Sequence, residues 1–174
     1  MLICIPDISG FTKFMSEIDS ELSSKMIPSL LNNIIYSNEI ELRVSEIEGD
    51  AVLFYKELDL LKEKYTKEDN SHKIPKTLGL KIILHFGSDV DTVQIEKHIK
   101  LIGEDVIIAH KLLKNNIPKD EYLLLSENLL KQYDLTNLDN DIYWTSLKKG
   151  ENVYEHLGEI NYTYIDLEPL VKSK

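Results

Sequence analysis

One arginine, Arg43, and one cysteine, Cys4, are all that this chain of 174 residues holds of either type. A lone cysteine forms no internal disulfide. Cys4 sits in the apolar run Leu2-Ile3-Cys4-Ile5 and reads as a small buried hydrophobe, in keeping with a reducing compartment. Positive charge is also short: 20 Lys and Arg face 30 Asp and Glu, a formal net charge of −10. A phosphate backbone would be repelled, which excludes nucleic acid as a partner, and most of the acidity reads as solvated surface. No apolar stretch is long enough for a bilayer, and the start carries no basic region before its short apolar run. The expectation is a cytoplasmic chain with no secretory signal and no membrane segment. His72, His98 and His156 are scattered without metal-ligand spacing, and no serine-histidine-aspartate order or nucleophile elbow is visible.

What is present is ordinary for a globular protein: 43% hydrophobic and 29% charged residues, in a length that suits one domain spanning 1–174. The run Leu2 to Ile5 reads as a buried strand ended by Pro6 and Asp7. Ser9-Gly10 opens a helical pattern with Phe11, Phe14, Met15 and Ile18 on one face. A second helical stretch carries Leu22, Met26, Leu30 and Ile34, with a kink or a late start expected at Pro28. Ile40 to Ile47 and Ala51 to Tyr55 form a hairpin around the turn Glu48-Gly49-Asp50. Glu57 to Tyr65 has helical spacing, and the polar stretch 67–76 reads as a loop. Leu80, Ile82, Leu84 and Phe86 share one face of a strand, and Val90 to Ile95 reads as another. A helix is expected over Gly103 to Asn116, a strand over Tyr122 to Leu125, and a short helix capped by Ser126. Ile142 to Thr145 and Ile160 to Ile165 are further strand candidates. The fold class is α+β: a ferredoxin-like β-α-β-β-α-β core with an antiparallel sheet, helices on one face and the other face free. The core runs over about 2–130 and a C-terminal strand extension over about 131–174.

Asp7 and Asp50 are the most informative pair. In such a sheet the end of the first strand lies beside the start of the third, so both carboxylates meet at one edge. Two close carboxylates repel unless a cation sits between them, and magnesium takes hard oxygen ligands from one or two carboxylates together with substrate phosphates. The helix opening after Asp7 would turn free N–H groups to the same edge, where phosphate is favoured. Local roles also account for both residues: Asp7 as a helix cap, Asp50 as a turn residue beside Gly49.

Four motifs in order carry a resemblance. Pro6-Asp7-Ile8-Ser9-Gly10-Phe11-Thr12 resembles the first metal motif of class III adenylyl and guanylyl cyclases, and Glu48-Gly49-Asp50-Ala51-Val52-Leu53-Phe54 the second. His85-Phe86-Gly87 is similar to their H-x-G, and Gly103-Glu104-Asp105-Val106 to the lead into their catalytic helix. The wording, with Ala109-His110-Lys111-Leu112-Leu113-Lys114-Asn115, is most similar to an uncharacterised bacterial branch of cyclase-like domains. The resemblance covers Leu2 to Leu130. It implies a two-metal site for Mg2+ or Mn2+ held by Asp7, Asp50 and the carbonyl of Ile8. It further implies a triphosphate at Ser9, Gly10, Phe11 and Thr12, a purine nucleoside triphosphate as ligand, and a homodimer with sites at the interface.

The pattern also breaks. Ile107 stands where the family has the asparagine that positions the ribose, and Lys111 where it has the arginine that stabilises developing charge; lysine keeps the charge and loses the planar fork. Ile107, Lys111 and Lys114 share one helix face. The base-reading positions are Glu46 and Lys100. Glu46 alone suits guanine, and the two residues equally suit a pair that closes the purine pocket. The expectation is a nucleotidyl cyclase-like domain that binds divalent metal and a nucleotide with degenerate catalysis. The alternatives are an active cyclase, a phosphorus-oxygen lyase in which Lys111 does the arginine's work, and a non-enzymatic interaction module.

Overall fold

The apolar run at the start of the chain becomes the axis of a sheet. β1 (Leu2–Ser9) lies between β3 (Ala51–Lys56) and β4 (Gly79–Phe86), antiparallel to both. The computed structural model describes residues 1–17, 20–56, 79–95, 98–132, 142 and 144–172. Seven strands form one sheet in the order β2-β3-β1-β4-β7-β9-β8, where β2 is Arg43–Glu48, β7 Tyr122–Ser126, β8 Lys148–Tyr154 and β9 Gly158–Asp166. β4 and β7 run parallel, and every other neighbouring pair is antiparallel. β5 (Asp91–Ile95) and β6 (His98–Ile102) make a separate two-stranded ribbon. The helices among the described residues are α1 (Phe11–Glu17), α2 (Ser20–Tyr36), α3 (Glu104–Leu112), α4 (Glu127–Leu130) and α5 (Glu168–Lys172).

Strand alternation divides the core in two. Ile3, Ile5, Leu53, Ile83 and Leu124 point to one side, where Val106, Ala109 and Leu112 of α3 and Leu101 of β6 pack on them. Leu2, Cys4, Val52, Phe54 and Leu125 point to the other, against Leu31, Ile34 and Ile35 of α2 and Leu129 of α4. Helices therefore lie on both faces, not on one as expected from a plain ferredoxin-like sheet. The reason is the near-continuous burial of β1 and β3, whose side chains on both faces need cover.

Other boundaries shift for local reasons. Pro6 lies inside β1 and does not end it. The β1–β3 ladder pairs Cys4 with Phe54 and resumes on the same register at Asp7 and Ala51, skipping Ile5 and Pro6, the second of which has no N–H to give. α2 starts well before Pro28 and runs through it, so the late start does not occur. α3 ends at Leu112, before the expected Asn116. Ile142 is buried but lies in no strand; the strand is β8, whose polar sequence Lys148-Lys149-Gly150-Glu151-Asn152 hides its alternation. The expected helix at Glu57 to Tyr65 and loop at 67–76 fall outside the described residues. The cap is as read: the Ser126 hydroxyl accepts from Leu129 N–H. No helix among the described residues is long and apolar enough to cross a membrane, which says nothing about membrane-spanning strands.

Candidate functional site

Because β1 continues through Ser9, Asp7 is a strand residue on the same face as Ile3 and Ile5, the side covered by α3. Its ladder partners are Ala51 in β3 and Lys81 in β4, and Lys81 pairs in turn with Tyr122. Asp50 fills the tight turn with Gly49, and its carbonyl accepts from Ile8 N–H at 3.2 Å. One corner of the sheet thus joins Asp7, Ile8 and Asp50. The electrostatics agree: burial, then repulsion from Asp50, pushes the Asp7 carboxyl up to about 6, while Lys81 pulls it down. Asp50 is raised as well, mainly by burial, against a hydrogen bond from its own backbone N–H and the Lys81 charge.

A cavity of about 580 Å³ opens on this face, and its wall includes Asp7, Glu48, Ile107, His110, Lys111 and Lys114. The helix face expected from the spacing of Ile107, Lys111 and Lys114 is therefore turned toward the strand that carries Asp7. Ser9, Gly10, Phe11 and Thr12 do not join the cavity wall among the described residues. Ser9 is buried, and its hydroxyl has no hydrogen-bond partner among the described residues. Gly10 takes a positive φ of 81° that lets the strand turn into α1, where Phe11 and Thr12 are the first two residues.

Glu46 and Lys100 do pair, at 2.7 Å. A bulge between Val44 and Glu46 makes this possible. It reverses the strand's parity, so that Glu46 stands opposite Leu53 and faces the α3 side. The hydrogen bond to Glu46 raises the affinity of Lys100 for its proton.

Three features escaped the sequence. Lys81 occupies a polar position next to the apolar face of its strand; the same alternation that turns Ile82 and Leu84 toward α2 places Lys81 beside Asp7. β6 is short, its five residues are interrupted by His98 and Lys100, and among the described residues it pairs with β5 alone. His85, Asp105 and Ser126, read separately, meet in one buried hydrogen-bonded chain. Among the described residues no group of three or more His, Cys, Asp and Glu side chains is placed to hold a metal ion. The carboxylate pair fits a cation nonetheless: it is partly buried, Asp50 repels Asp7, and Lys81 offsets both. Such a pair supplies two hard oxygen donors and leaves the remaining positions to water or phosphate.

A family model described as "Protein of unknown function (DUF2652)" matches residues 27–70 and 56–122. An uncharacterised protein of Mycobacterium tuberculosis, Rv2561/Rv2562, is 30% identical over 96 residues, 52% of this chain and 39% of its own length. The chain thus spans about two fifths of that curated relative. Solved structures align over nearly the whole chain. The adenylyl cyclase CyaB from P. aeruginosa matches with a TM-score of 0.62 at 14% identity, covering 95% of this chain and 93% of that one. The catalytic core of a rhodopsin-guanylyl cyclase with converted specificity, in complex with ATPalphaS, matches at 0.66 and 12%, covering 95% and 94%. The guanylate cyclase domain of RhGC from Catenaria anguillulae, in complex with GTP, matches at 0.59 and 11%, covering 94% and 93%. At these identities the likeness establishes the fold: the sheet and helices are those of adenylyl and guanylyl cyclase domains.

Proposed function

This chain belongs to the family described as a protein of unknown function, DUF2652, and we propose that it is a nucleotidyl cyclase-like domain that binds divalent metal and a purine nucleoside triphosphate with degenerate catalysis. The observation that carries this reading is the convergence of Asp7 and Asp50 at one corner, with Lys81 across the ladder and Lys111 in the same cavity as Asp7. Asp7, Asp50 and the Ile8 carbonyl would hold Mg2+ or Mn2+. When bound, such ions neutralise phosphate charge and lower the proton affinity of an attacking hydroxyl. Lys81, Lys111 and Lys114 supply cations to the phosphates from two sides. The opening of α1 at Ser9, Gly10, Phe11 and Thr12 is the further phosphate contact suggested by the motif. The Glu46–Lys100 pair closes the base end.

Degeneracy follows from the chemistry of two side chains. Ile107 offers no hydrogen bond to a ribose, and Lys111 presents a point charge in place of a bidentate fork. Ile107 is 53% exposed on the cavity rim, an apolar position that a second copy of the chain would cover in a homodimer. Retention of Lys111 in the cavity favours a second reading, a slow but competent cyclase.

Calorimetry with Mn2+ and ATP or GTP, followed by chromatography of the incubated nucleotide, tests both. Binding that vanishes in Asp7→Asn, with little cyclic nucleotide formed, is the expected result. Rapid cyclic nucleotide formation would replace the first reading by the second. Absence of metal and nucleotide binding in the native chain would remove both and leave an interaction module.

A further inference from the structure

Beneath the motif residues lies a chain of hydrogen bonds among side chains far apart in sequence. His85 on β4 is 1% exposed, Asp105 in the first turn of α3 6%, and Ser126 at the end of β7 2%. The His85 Nε2 lies 2.8 Å from Asp105 Oδ1, and its Nδ1 2.8 Å from Ser126 Oγ. Asp105 Oδ2 accepts from Asp89 N–H at 2.8 Å, and Ser126 Oγ accepts from Leu129 N–H at 3.2 Å. The Asp105 carboxylate only accepts, so Nε2 carries the hydrogen. Burial favours the neutral ring, so Nδ1 accepts from the Ser126 hydroxyl, and every member has its partners. The order of groups is that of a nucleophile relay, but the hydroxyl is buried and already engaged as the α4 cap, which excludes attack on a substrate.

The placement of the chain suggests another role. It joins the end of β4 to the first turn of α3, where Gly87 lets the helix approach: a Cβ there would stand 2.5 Å from the Asp105 Cβ. Further along the same helix, Ile107, His110 and Lys111 line the cavity opposite Asp7. Neither Asp7 nor Asp50 is on α3. The His85 side chain bonds to α3 and to Ser126 and not to Asp7 or Asp50, so a side-chain change there is expected to act on the helix cations more than on the carboxylates.

We propose that His85, held as the Nε2–H tautomer between Asp105 and Ser126, is a positioning residue that sets the cationic face of α3 against the Asp7 corner. This rests on the reading that the cavity takes metal-bound phosphate. The test uses the full chain with His85→Leu, His85→Gln and Ser126→Ala, each checked for folding by circular dichroism. Mn2+ alone is titrated by electron paramagnetic resonance, and inorganic triphosphate in the presence of Mn2+ by calorimetry. Expected for His85→Leu is Mn2+ affinity within about twofold of native and triphosphate affinity down about tenfold. His85→Gln keeps a donor toward Asp105 and recovers most of that loss. Ser126→Ala weakens triphosphate in the same direction and serves if His85→Leu does not fold. Native triphosphate affinity in the folded variants, or equal losses of metal and triphosphate in all three, overturns the proposal. If the native chain binds no triphosphate, the cavity reading fails, and nitrogen-15 spectra then decide His85 by themselves. A Nε2–H ring in the native chain, with Ile107 and Lys111 amide shifts displaced in His85→Gln, sustains the positioning role. The opposite tautomer, or unmoved amides, ends it.

Discussion

Asp7 stands directly across the ladder from Lys81, on the face of the sheet that α3 covers. The pairing balances only half of the charge at that corner, because Asp50 adds a second carboxylate. A site built for a structural ion pair would match its charges. Here Lys81 is the neighbouring charge that lowers both carboxyls, and a divalent ion would offset what one lysine leaves.

The imbalance makes stability depend on pH. The folded state raises the proton affinity of Asp7 from 3.8 to about 6, chiefly by burial. Between those values the folded chain holds more protons than the unfolded one, so stability falls as pH rises through that window and stays lower above it. Melting temperatures of metal-free protein should therefore decline from about pH 4 to about pH 6. Asp7→Asn should flatten this part of the profile and melt higher than the native chain at neutral pH. Mn2+ should raise the native melting temperature and leave that of Asp7→Asn unchanged. A decline of equal size in Asp7→Asn would assign the dependence to other groups.

Lys111 is the test of residual chemistry. If slow cyclic nucleotide formation occurs, Lys111→Ala should reduce it about a hundredfold, the usual effect of removing a charge that faces the developing oxyanion. Asp50→Asn should abolish it. The double change Ile107→Asn with Lys111→Arg should raise turnover above native, because it supplies a hydrogen bond and a planar fork where the chain has neither. Chromatographic product counts on the folded variants decide it. Undiminished product in Lys111→Ala would take that lysine out of the reaction.

Much of this site was legible in the sequence because it rests on short-range signals. The motifs around Asp7 and Asp50 sit at strand ends and a tight turn, where local residue choice dictates backbone, and the i, i+4, i+7 spacing of Ile107, Lys111 and Lys114 gave one helix face. What the sequence hid depends on register. Glu46 faces the α3 side only because a bulge beside Ser45 shifts the strand by one residue, and no residue type announces that shift. Lys81 matters only because β4 lies next to β1, and His85 only because three separate elements converge on it. Pro6 misled in the opposite direction: a strong local signal for a strand end is overridden by burial on both sides of β1.

The Glu46–Lys100 pair should affect selectivity more than stability. The lysine side chain is 49% exposed and the glutamate 17%, so the bond is made at a solvated edge where ion pairs contribute little. Lys100→Ala should leave the melting temperature nearly unchanged. It frees the Glu46 carboxylate, an acceptor suited to the donor edge of guanine, and should shift nucleotide preference toward GTP over ATP in competitive calorimetry. An unchanged ratio would mean that the pair lies outside the base site.

Two glycines with positive φ separate conformational strain from steric exclusion. Gly49, at φ 61° in the turn before Asp50, has open space where a Cβ would go. Gly49→Ala should therefore cost only the left-handed backbone penalty, about 1 kcal/mol. Gly103, at φ 131° just before α3, would place its Cβ 2.1 Å from the Asp89 carbonyl oxygen and 2.9 Å from the Asp89 carbonyl carbon. Neither contact is with the end of a flexible side chain, so relief requires moving the 89–90 backbone or the start of α3. That start is tied down by the bonds from Asp89 N–H to Asp105 and from Glu104 N–H to Asp89. Gly103→Ala should destabilise the chain by about 3 to 5 kcal/mol in urea unfolding, several times the effect at Gly49. Equal costs at the two positions would show that α3 is not clamped at its first turn, and the placement of Lys111 against Asp7 would lose its anchor.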